Sequence, residues 1–215
     1  MEDGCIQVCN CDECNTNTKE ITLTMFLKLT TLAAATVAAV AIAAPLFACP
    51  GSSTCGSYTV NAQYATNKHS VLSSGGNTTW LAVGMEETNT LDSNYTYGDG
   101  KTGDSANFGY MKDNWYSYRT AVPQFSGQSA SQYNNGAVAN GNYGNANAFA
   151  NDIVSHYGWT GYWELHRDGQ SGLNGWTTDI NNYYQAIEWI QTQINSNYSK
   201  YTTDQTRFWV DVPAI

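Results

Sequence analysis

The 215-residue sequence predicts an α+β domain that is mainly helical. Apolar residues recur at helical spacing in several long segments. Strand character, in contrast, is confined to a turn-rich segment near residue 100 and to Phe208-Trp-Val-Asp-Val212. The expected helices cover residues 78–91, 104–118, 145–156 and 178–195.

The ends of these elements follow from capping residues and turn formers. Thr78 or Thr79 can cap the first helix and Asp104 the second, because their side-chain oxygens can accept from the first backbone N–H groups. The segment 93–103 lies between these helices and predicts a short β-hairpin or an irregular loop. The Asn- and Gly-rich segment 124–144 predicts a long surface loop.

Two segments precede the folded domain. Residues 25–48 have a basic start, a long apolar stretch and an Ala41-Ile-Ala43 ending, which is typical of a signal peptide. We therefore expect a secreted, extracellular protein with no membrane attachment after cleavage, and a retained anchor is the alternative. Residues 1–24 are interpreted as a gene-model extension or a disordered leader.

The cysteines fall into two groups. Cys5, Cys9, Cys11 and Cys14 lie too close together for the long loop that separates ligand pairs in common structural zinc sites, so we expect no metal there. Cys49 and Cys55 could close a small disulfide loop in an oxidising compartment. Such a loop would stabilise the fold by about 2 kcal/mol. Three glycosylation sequons, at Asn77, Asn94 and Asn197, are consistent with secretion.

Composition limits the class of partner. The chain carries a formal net charge of −9, and its few basic residues are scattered, which disfavours nucleic acid. It also contains seven Trp and fifteen Tyr among many Asn, Gly, Ser and Thr. Flat aromatic faces beside neutral hydroxyl and amide groups suit sugars, although most of these rings must form the core.

Glu87 and Asp99 are candidates for a catalytic pair of carboxyl groups. Cleavage of a glycosidic bond needs one carboxyl group that protonates the leaving oxygen and a second that is ionised. On a helix, Glu87 shares a face with Trp80 and Leu91, and such apolar surroundings favour the protonated form. Glu86 points about 100° away and is expected to be a solvated surface carboxylate. Asp99 lies between two glycines, where water and a cation such as Lys101 can reach it.

Several motifs together resemble glycoside hydrolase family 134. They are Met85-Glu-Glu-Thr, Tyr95-Thr-Tyr-Gly-Asp-Gly-Lys-Thr-Gly-Asp104, Asn107-Phe-Gly, Lys112-Asp-Asn-Trp115, Arg119, His166-Arg-Asp-Gly169 and Ser171-Gly172. The resemblance implies a secreted endo-β-1,4-mannanase with a lysozyme-like single domain that inverts the anomeric configuration and needs no metal or other cofactor. It implies that residues 49–215 form the catalytic domain and that β-1,4-mannan is the substrate. We expect a monomer.

The resemblance also assigns site residues. The general acid of the family falls on Glu87 and its general base on Asp99. Further residues that could line the cleft and bind substrate hydroxyls are Lys101, Asn107, His166 and Arg167. The first two lie beside Asp99 in the sequence, and the resemblance gives no role to the other two. An ion pair with a nearby Asp is the alternative for Arg167.

Two other functions remain open at this point. A non-catalytic carbohydrate-binding protein would explain the aromatic residues and the acidic charge. A lysozyme-like hydrolase of peptidoglycan or chitin would explain the carboxyl pair.

Overall fold

The structure, a computed structural model, describes residues 47–92 and 97–212. The predicted leader, nearly all of the predicted signal peptide and the start of the predicted hairpin, residues 93–96, lie outside these ranges. All described residues belong to one compact unit, Ala43–Ile215. Among them, no helix combines the length and apolarity needed to cross a bilayer.

Helices dominate the described chain. They are α1 (Ala62–Ser73), α2 (Thr78–Glu87), α3 (Trp115–Ala121), α4 (Tyr143–Asp168), α5 (Thr178–Ser196) and α6 (Tyr198–Tyr201). The strands are β1 (Cys55–Thr59), β2 (Asn107–Phe108), β3 (Asp113–Asn114) and β4 (Thr206–Val210). The predicted class, α+β and mainly helical, is confirmed. The relationship to lysozyme stays a prediction.

The two ends of the described chain meet in an antiparallel pair of strands. β1 pairs with β4, with Cys55 opposite Val210 and Thr59 opposite Thr206. The predicted disulfide between Cys49 and Cys55 is present, with a Cα–Cα separation of 5.6 Å. It holds the segment before β1 close to the start of that strand.

Helix α2 runs through the core and ends at the candidate acid. Its N-cap is Asn77, whose side chain accepts from the Trp80 N–H, and not the predicted Thr78 or Thr79. Its side chains from Trp80 to Met85 are completely buried. The helix stops at Glu87, earlier than the predicted Leu91, which has a positive φ of 56°. Glu87 therefore lies where a buried helix reaches the surface.

The predicted helix over 104–118 is wrong in its first half. The chain forms a 3₁₀ turn at Gly103–Ser105 and then the β2–β3 hairpin. Gly109 (φ 70°) and Lys112 (φ 58°) adopt left-handed conformations that no helix tolerates, so the chain reverses between them. Only then does Asn114 cap α3 by accepting from the Ser117 N–H.

Helices α4 and α5 hold the rest of the core. α4 is longer than the predicted 145–156, and it bends at Gly158, whose φ of 72° favours glycine. α5 agrees with its prediction and packs against α2. The predicted loop 124–144 contains 3₁₀ segments at Pro123–Phe125 and Ala130–Ala139. The largest completely buried side chains are Trp80, Trp115, Tyr64, Tyr110, Tyr118, Tyr162 and Tyr183.

Candidate active site

An open cleft of about 980 Å³ lies between the end of α2, the segment 101–116 and the end of α4. It contains five of the six predicted site residues, namely Glu87, Lys101, Asn107, His166 and Arg167. Its other walls are Asp104, Ser105, Lys112, Asn114, Tyr116, Asp168, Gly169, Gln170, Ser171, Leu173 and Asn174. Folding thus collects residues that are far apart in the sequence around Glu87.

The carboxyl group of Glu87 is partly buried and held by one strong hydrogen bond. The Tyr183 hydroxyl, from α5, donates to Glu87 Oε1 at 2.7 Å. Burial raises the pKa of Tyr183 well above its ordinary value, so this phenol keeps its proton and stays a donor. The Tyr183 ring is itself stacked on His166, with centroids 5.2 Å apart. This arrangement fixes the direction of the Glu87 side chain.

Glu86 is not the solvated carboxylate that the sequence predicted. Its side chain turns towards the β1–β4 sheet, where Glu86 Oε2 accepts from the Val210 N–H at 3.2 Å. Burial there raises the pKa of Glu86 to about 7, although the nearby Arg207 opposes the shift. Glu86 does not line the cleft. Of the two adjacent glutamates, Glu87 alone faces it.

Asp99 lies in a turn beside the cleft. Gly98, Asp99 and Gly100 all have positive φ (63°, 55° and 74°), so the turn is made of three successive left-handed residues. Two of them are glycine and the third is Asp, a residue that tolerates this conformation better than most. Asp99 Oδ2 forms an ion pair with Lys112 Nζ at 3.0 Å. Lys112 lines the cleft and Asp99 does not, so Asp99 is connected to the cleft through Lys112.

Arg167 both lines the cleft and forms the ion pair that was its alternative. Its Nε and Nη2 atoms donate to the two carboxylate oxygens of Asp179 at 2.6 and 3.0 Å. The guanidinium also lies over the Tyr183 ring, 5.5 Å from the centroid. Such a bidentate pair holds Arg167 in one orientation at the wall of the cleft.

His166 connects the cleft to a buried carboxyl group. His166 Nε2 lies 2.8 Å from the Met111 carbonyl oxygen and 3.8 Å from Asp113 Oδ1. Asp113 is fully buried, which raises its pKa to about 6. The chain β2–turn–β3 that carries Met111 and Asp113 is thereby attached to the end of α4.

Asp104 has a different role from the predicted helix cap. Its two oxygens accept from Arg119 Nε and Nη2 at 2.6 and 2.7 Å. This pair joins the 3₁₀ turn at Gly103–Ser105 to α3. The Asp104–Arg119 pair holds in place the part of the cleft wall that comes after Lys101 in the sequence.

Sequence reasoning missed two residues of the site. Lys112, rather than Lys101, is the cation beside Asp99. The hairpin turn that places Lys112 there was not predicted from the sequence. Tyr183 is 96 positions from Glu87. The only signal for Tyr183 is its place on the buried face of α5, which indicates burial but not a partner.

The described residues contain no group of three or more His, Cys, Asp or Glu side chains arranged to hold a metal ion. The four clustered cysteines of the leader lie outside the described ranges. The cleft contains the partly buried carboxyl group of Glu87, which accepts from a neutral donor. A second carboxylate, that of Asp99, lies outside the cleft lining and is paired with Lys112 of the cleft wall. Two such groups can carry out acid and base chemistry.

Two comparisons with known proteins bear on the family of the chain. A search of curated proteins finds no match to the chain. The model of glycosyl hydrolase family 134, however, matches residues 65–212, a range that includes every residue lining the cleft. Because this range is more than half of the chain, the protein belongs to glycosyl hydrolase family 134 and is a glycoside hydrolase.

Proposed function

We propose that the protein is a secreted endo-β-1,4-mannanase that inverts the anomeric configuration. The observation that carries this proposal is the position of Glu87, which faces an open cleft and is held there by Tyr183. An open cleft lets a long polysaccharide lie across the site, as internal cleavage requires. Membership of the family supports glycoside hydrolysis, and the mannan substrate is the further step that we propose.

The proposed mechanism is a single displacement. Glu87 transfers its proton to the glycosidic oxygen while Asp99 accepts a proton from a water molecule that attacks the anomeric carbon from the opposite face. The C–O bond to the leaving sugar breaks as the bond to water forms, through a transition state like an oxocarbenium ion. Tyr183 orients the acid, and Lys112 holds the base.

The other walls of the cleft suit a neutral polysaccharide. Lys101, Asn107, His166 and Arg167 offer hydrogen-bonding groups, and we assign them to mannosyl hydroxyl groups. The Arg167–Asp179 pair is consistent with such a role, because a preoriented donor loses little freedom on binding.

Secretion and a monomeric state complete the proposal. The Cys49–Cys55 disulfide supports an oxidising compartment, which agrees with the signal peptide predicted over residues 25–48.

Activity on a panel of polysaccharides tests the proposal. Linear mannan, chitin and bacterial cell walls are incubated with the wild type, and new reducing ends are measured. We expect hydrolysis of mannan, and NMR should show that the first product has the α-anomeric configuration. Reducing ends from chitin or cell walls alone would favour the lysozyme-like alternative. Binding without any reducing ends would favour the carbohydrate-binding alternative.

Adjacent glutamates provide a matched pair of variants. Glu87→Gln and Asp99→Asn should each lower the rate on mannan at least about a hundredfold, because each removes an acid or base. Glu86→Gln changes the neighbouring residue in the same way and should keep most of the activity. A fully active Glu87→Gln protein would refute the assignment of the acid.

A further inference from the structure

A second concave surface lies on α4 and α5, apart from the cleft. This aromatic pocket has a volume of about 480 Å³, within the range of ligand sites. It is lined by Thr79, Trp159, Thr160, Trp163, Trp176, Tyr184, Glu188 and Gln191. Among the described residues, none lines both the aromatic pocket and the cleft.

Two tryptophans are exposed at this pocket. Trp159 is 45% exposed and Trp176 is 41% exposed, whereas Trp80 and Trp115 are completely buried. An exposed tryptophan leaves a large apolar area in contact with water, which costs free energy in the absence of a ligand. Two of them at one concavity therefore indicate a surface that binds something.

The rings of the pocket are held in place before any ligand arrives. Trp159 lies beside Trp163 with centroids 5.8 Å apart and planes only 24° apart, and it also contacts the buried Trp80 at 5.2 Å. Across the pocket, Trp176 packs edge-on against Tyr184 at 5.8 Å. A preformed surface binds with a smaller loss of side-chain freedom than a mobile one.

Neutral polar groups surround these rings. Gln191 Nε2 donates to the hydroxyl oxygens of Thr78 and Thr79 at 3.0 and 2.8 Å, and Thr160 is exposed at the edge. Glu188 is the one charged residue that lines the pocket. Hydroxyl, amide and carboxylate groups around an apolar floor match a pyranose ring, which has apolar C–H faces and a rim of hydroxyl groups.

The orientation of the rings favours a sugar over a compact organic cation. A cage for a quaternary ammonium group places aromatic faces on several sides of one point. In the aromatic pocket, Trp163 is stacked on Trp159 and is only 4% exposed, so it supports the exposed Trp159 from behind and does not complete a cage. One supported, exposed ring suits the flat face of a sugar better than a small sphere.

We propose that the aromatic pocket is an auxiliary binding site for the β-mannan chain that the cleft hydrolyses, an inference that rests on the proposed function. Attachment at a second site raises the effective concentration of an insoluble polysaccharide at the cleft. Short soluble fragments that fill only the cleft gain nothing from attachment at the aromatic pocket. The pocket should therefore matter for insoluble mannan and not for mannohexaose.

The test combines substitutions in the pocket with two substrates. Trp159→Ala and Trp176→Ala are made together, first in the Glu87→Gln protein to measure binding to insoluble mannan and then in the wild type to measure hydrolysis. We expect binding to insoluble mannan to weaken at least about fivefold, since two stacking rings are lost. Hydrolysis of insoluble mannan should fall as well, while kcat/KM for mannohexaose stays within about twofold of the wild type.

Two further variants keep this test decisive. Thr160→Arg inserts a long side chain at an exposed position of the pocket, so it blocks the surface without removing a ring, and it should reproduce the loss. Tyr198→Ala is the matched control, because Tyr198 is 53% exposed and lines neither the pocket nor the cleft. It should bind and hydrolyse insoluble mannan like the wild type.

The outcomes separate this inference from the proposed function. If the wild type hydrolyses mannan but the pocket variants bind insoluble mannan normally, the auxiliary site is refuted and the proposed function stands. Equal losses on insoluble mannan and on mannohexaose also refute it, since the pocket would then serve the cleft itself. A wild type that neither binds nor hydrolyses mannan refutes both. Quenching of tryptophan fluorescence by choline, without mannan binding, would identify a cation site instead.

Discussion

Replacing Glu86 by glutamine should make the stability of the fold less dependent on pH. Burial against the β1–β4 sheet raises the pKa of Glu86 from 4.5 to about 7. A carboxyl group with a raised pKa keeps its proton in the folded state at pH values where the unfolded chain has already lost it. Between pH 4.5 and 7 the unfolded state therefore binds fewer protons, and the free energy of unfolding falls as the pH rises.

The size of this effect follows from the shift. A difference of about 2.5 pKa units corresponds to about 3 kcal/mol at 1.36 kcal/mol per unit. The loss of stability caused by ionising the buried Glu86 is absent below pH 4.5 and complete above pH 7. Glutamine carries no charge at any of these pH values, and its amide oxygen can still accept from the Val210 N–H. Glu86→Gln should thus match the wild type near pH 4.5 and be more stable by up to about 3 kcal/mol at pH 8.

Denaturant unfolding at a series of pH values, at constant ionic strength, measures this difference. Asp113, whose pKa is raised to about 6, also contributes to the pH dependence of the wild type. It is present in both proteins, so its contribution cancels when the two curves are subtracted. A stability difference that stays constant from pH 5 to 8, or a variant that is less stable at pH 8, would show that burial of the Glu86 carboxylate does not destabilise the fold.

Three further predictions concern the site and its supports. Tyr183→Phe removes the hydrogen bond to Glu87. Steady-state kinetics should then show kcat on mannan lowered about tenfold or more, with little change in KM. An unchanged kcat would contradict a positioning role for Tyr183. Gly84→Ala places a Cβ too close to the edge of the Tyr110 ring, so thermal unfolding should show a loss of about 1–3 kcal/mol. An unchanged Tm would show that the ring can move aside. Cys49→Ser with Cys55→Ser should cost about 2 kcal/mol in denaturant unfolding and leave activity unchanged, and a loss of activity would place the loop in the site.

Long, regular elements could be predicted from the sequence because their signals are local. α5 illustrates this: its isoleucines recur on one face, and Ile180, Ile187, Ile190 and Ile194 are all buried. The segment 104–118 shows the limit of the same method. Phe108, Met111 and Trp115 are spaced as on one helix, but Phe108 and Met111 are buried in a hairpin and Trp115 at the start of α3. Apolar spacing indicates which residues are buried. It does not determine the backbone conformation where left-handed residues interrupt a helix.

In the candidate site, too, some features could be predicted from the sequence and others could not. Glu87 could be proposed from its motif and its helix face, and the end of α2 does bring it to the cleft. The environment of Glu86 could not be foreseen, because it depends on strand β4, more than 120 positions later in the chain. Tyr183 and Lys112 depend on tertiary packing in the same way. Contacts between distant segments carry no local signature in a single sequence.

The bend at Gly158 has a mechanical consequence. Beyond it, one straight length of helix carries Trp159 and Trp163 at one end and His166 and Arg167 at the other. At 1.5 Å per residue, Trp163 and Arg167 are separated by about 6 Å along the axis, a spacing that a helix does not change. Contacts with other elements hold this length at both ends, since Trp159 packs on Trp80 of α2 and Arg167 pairs with Asp179 of α5. The side chains that α4 contributes to the cleft and to the aromatic pocket therefore keep a fixed spacing from each other.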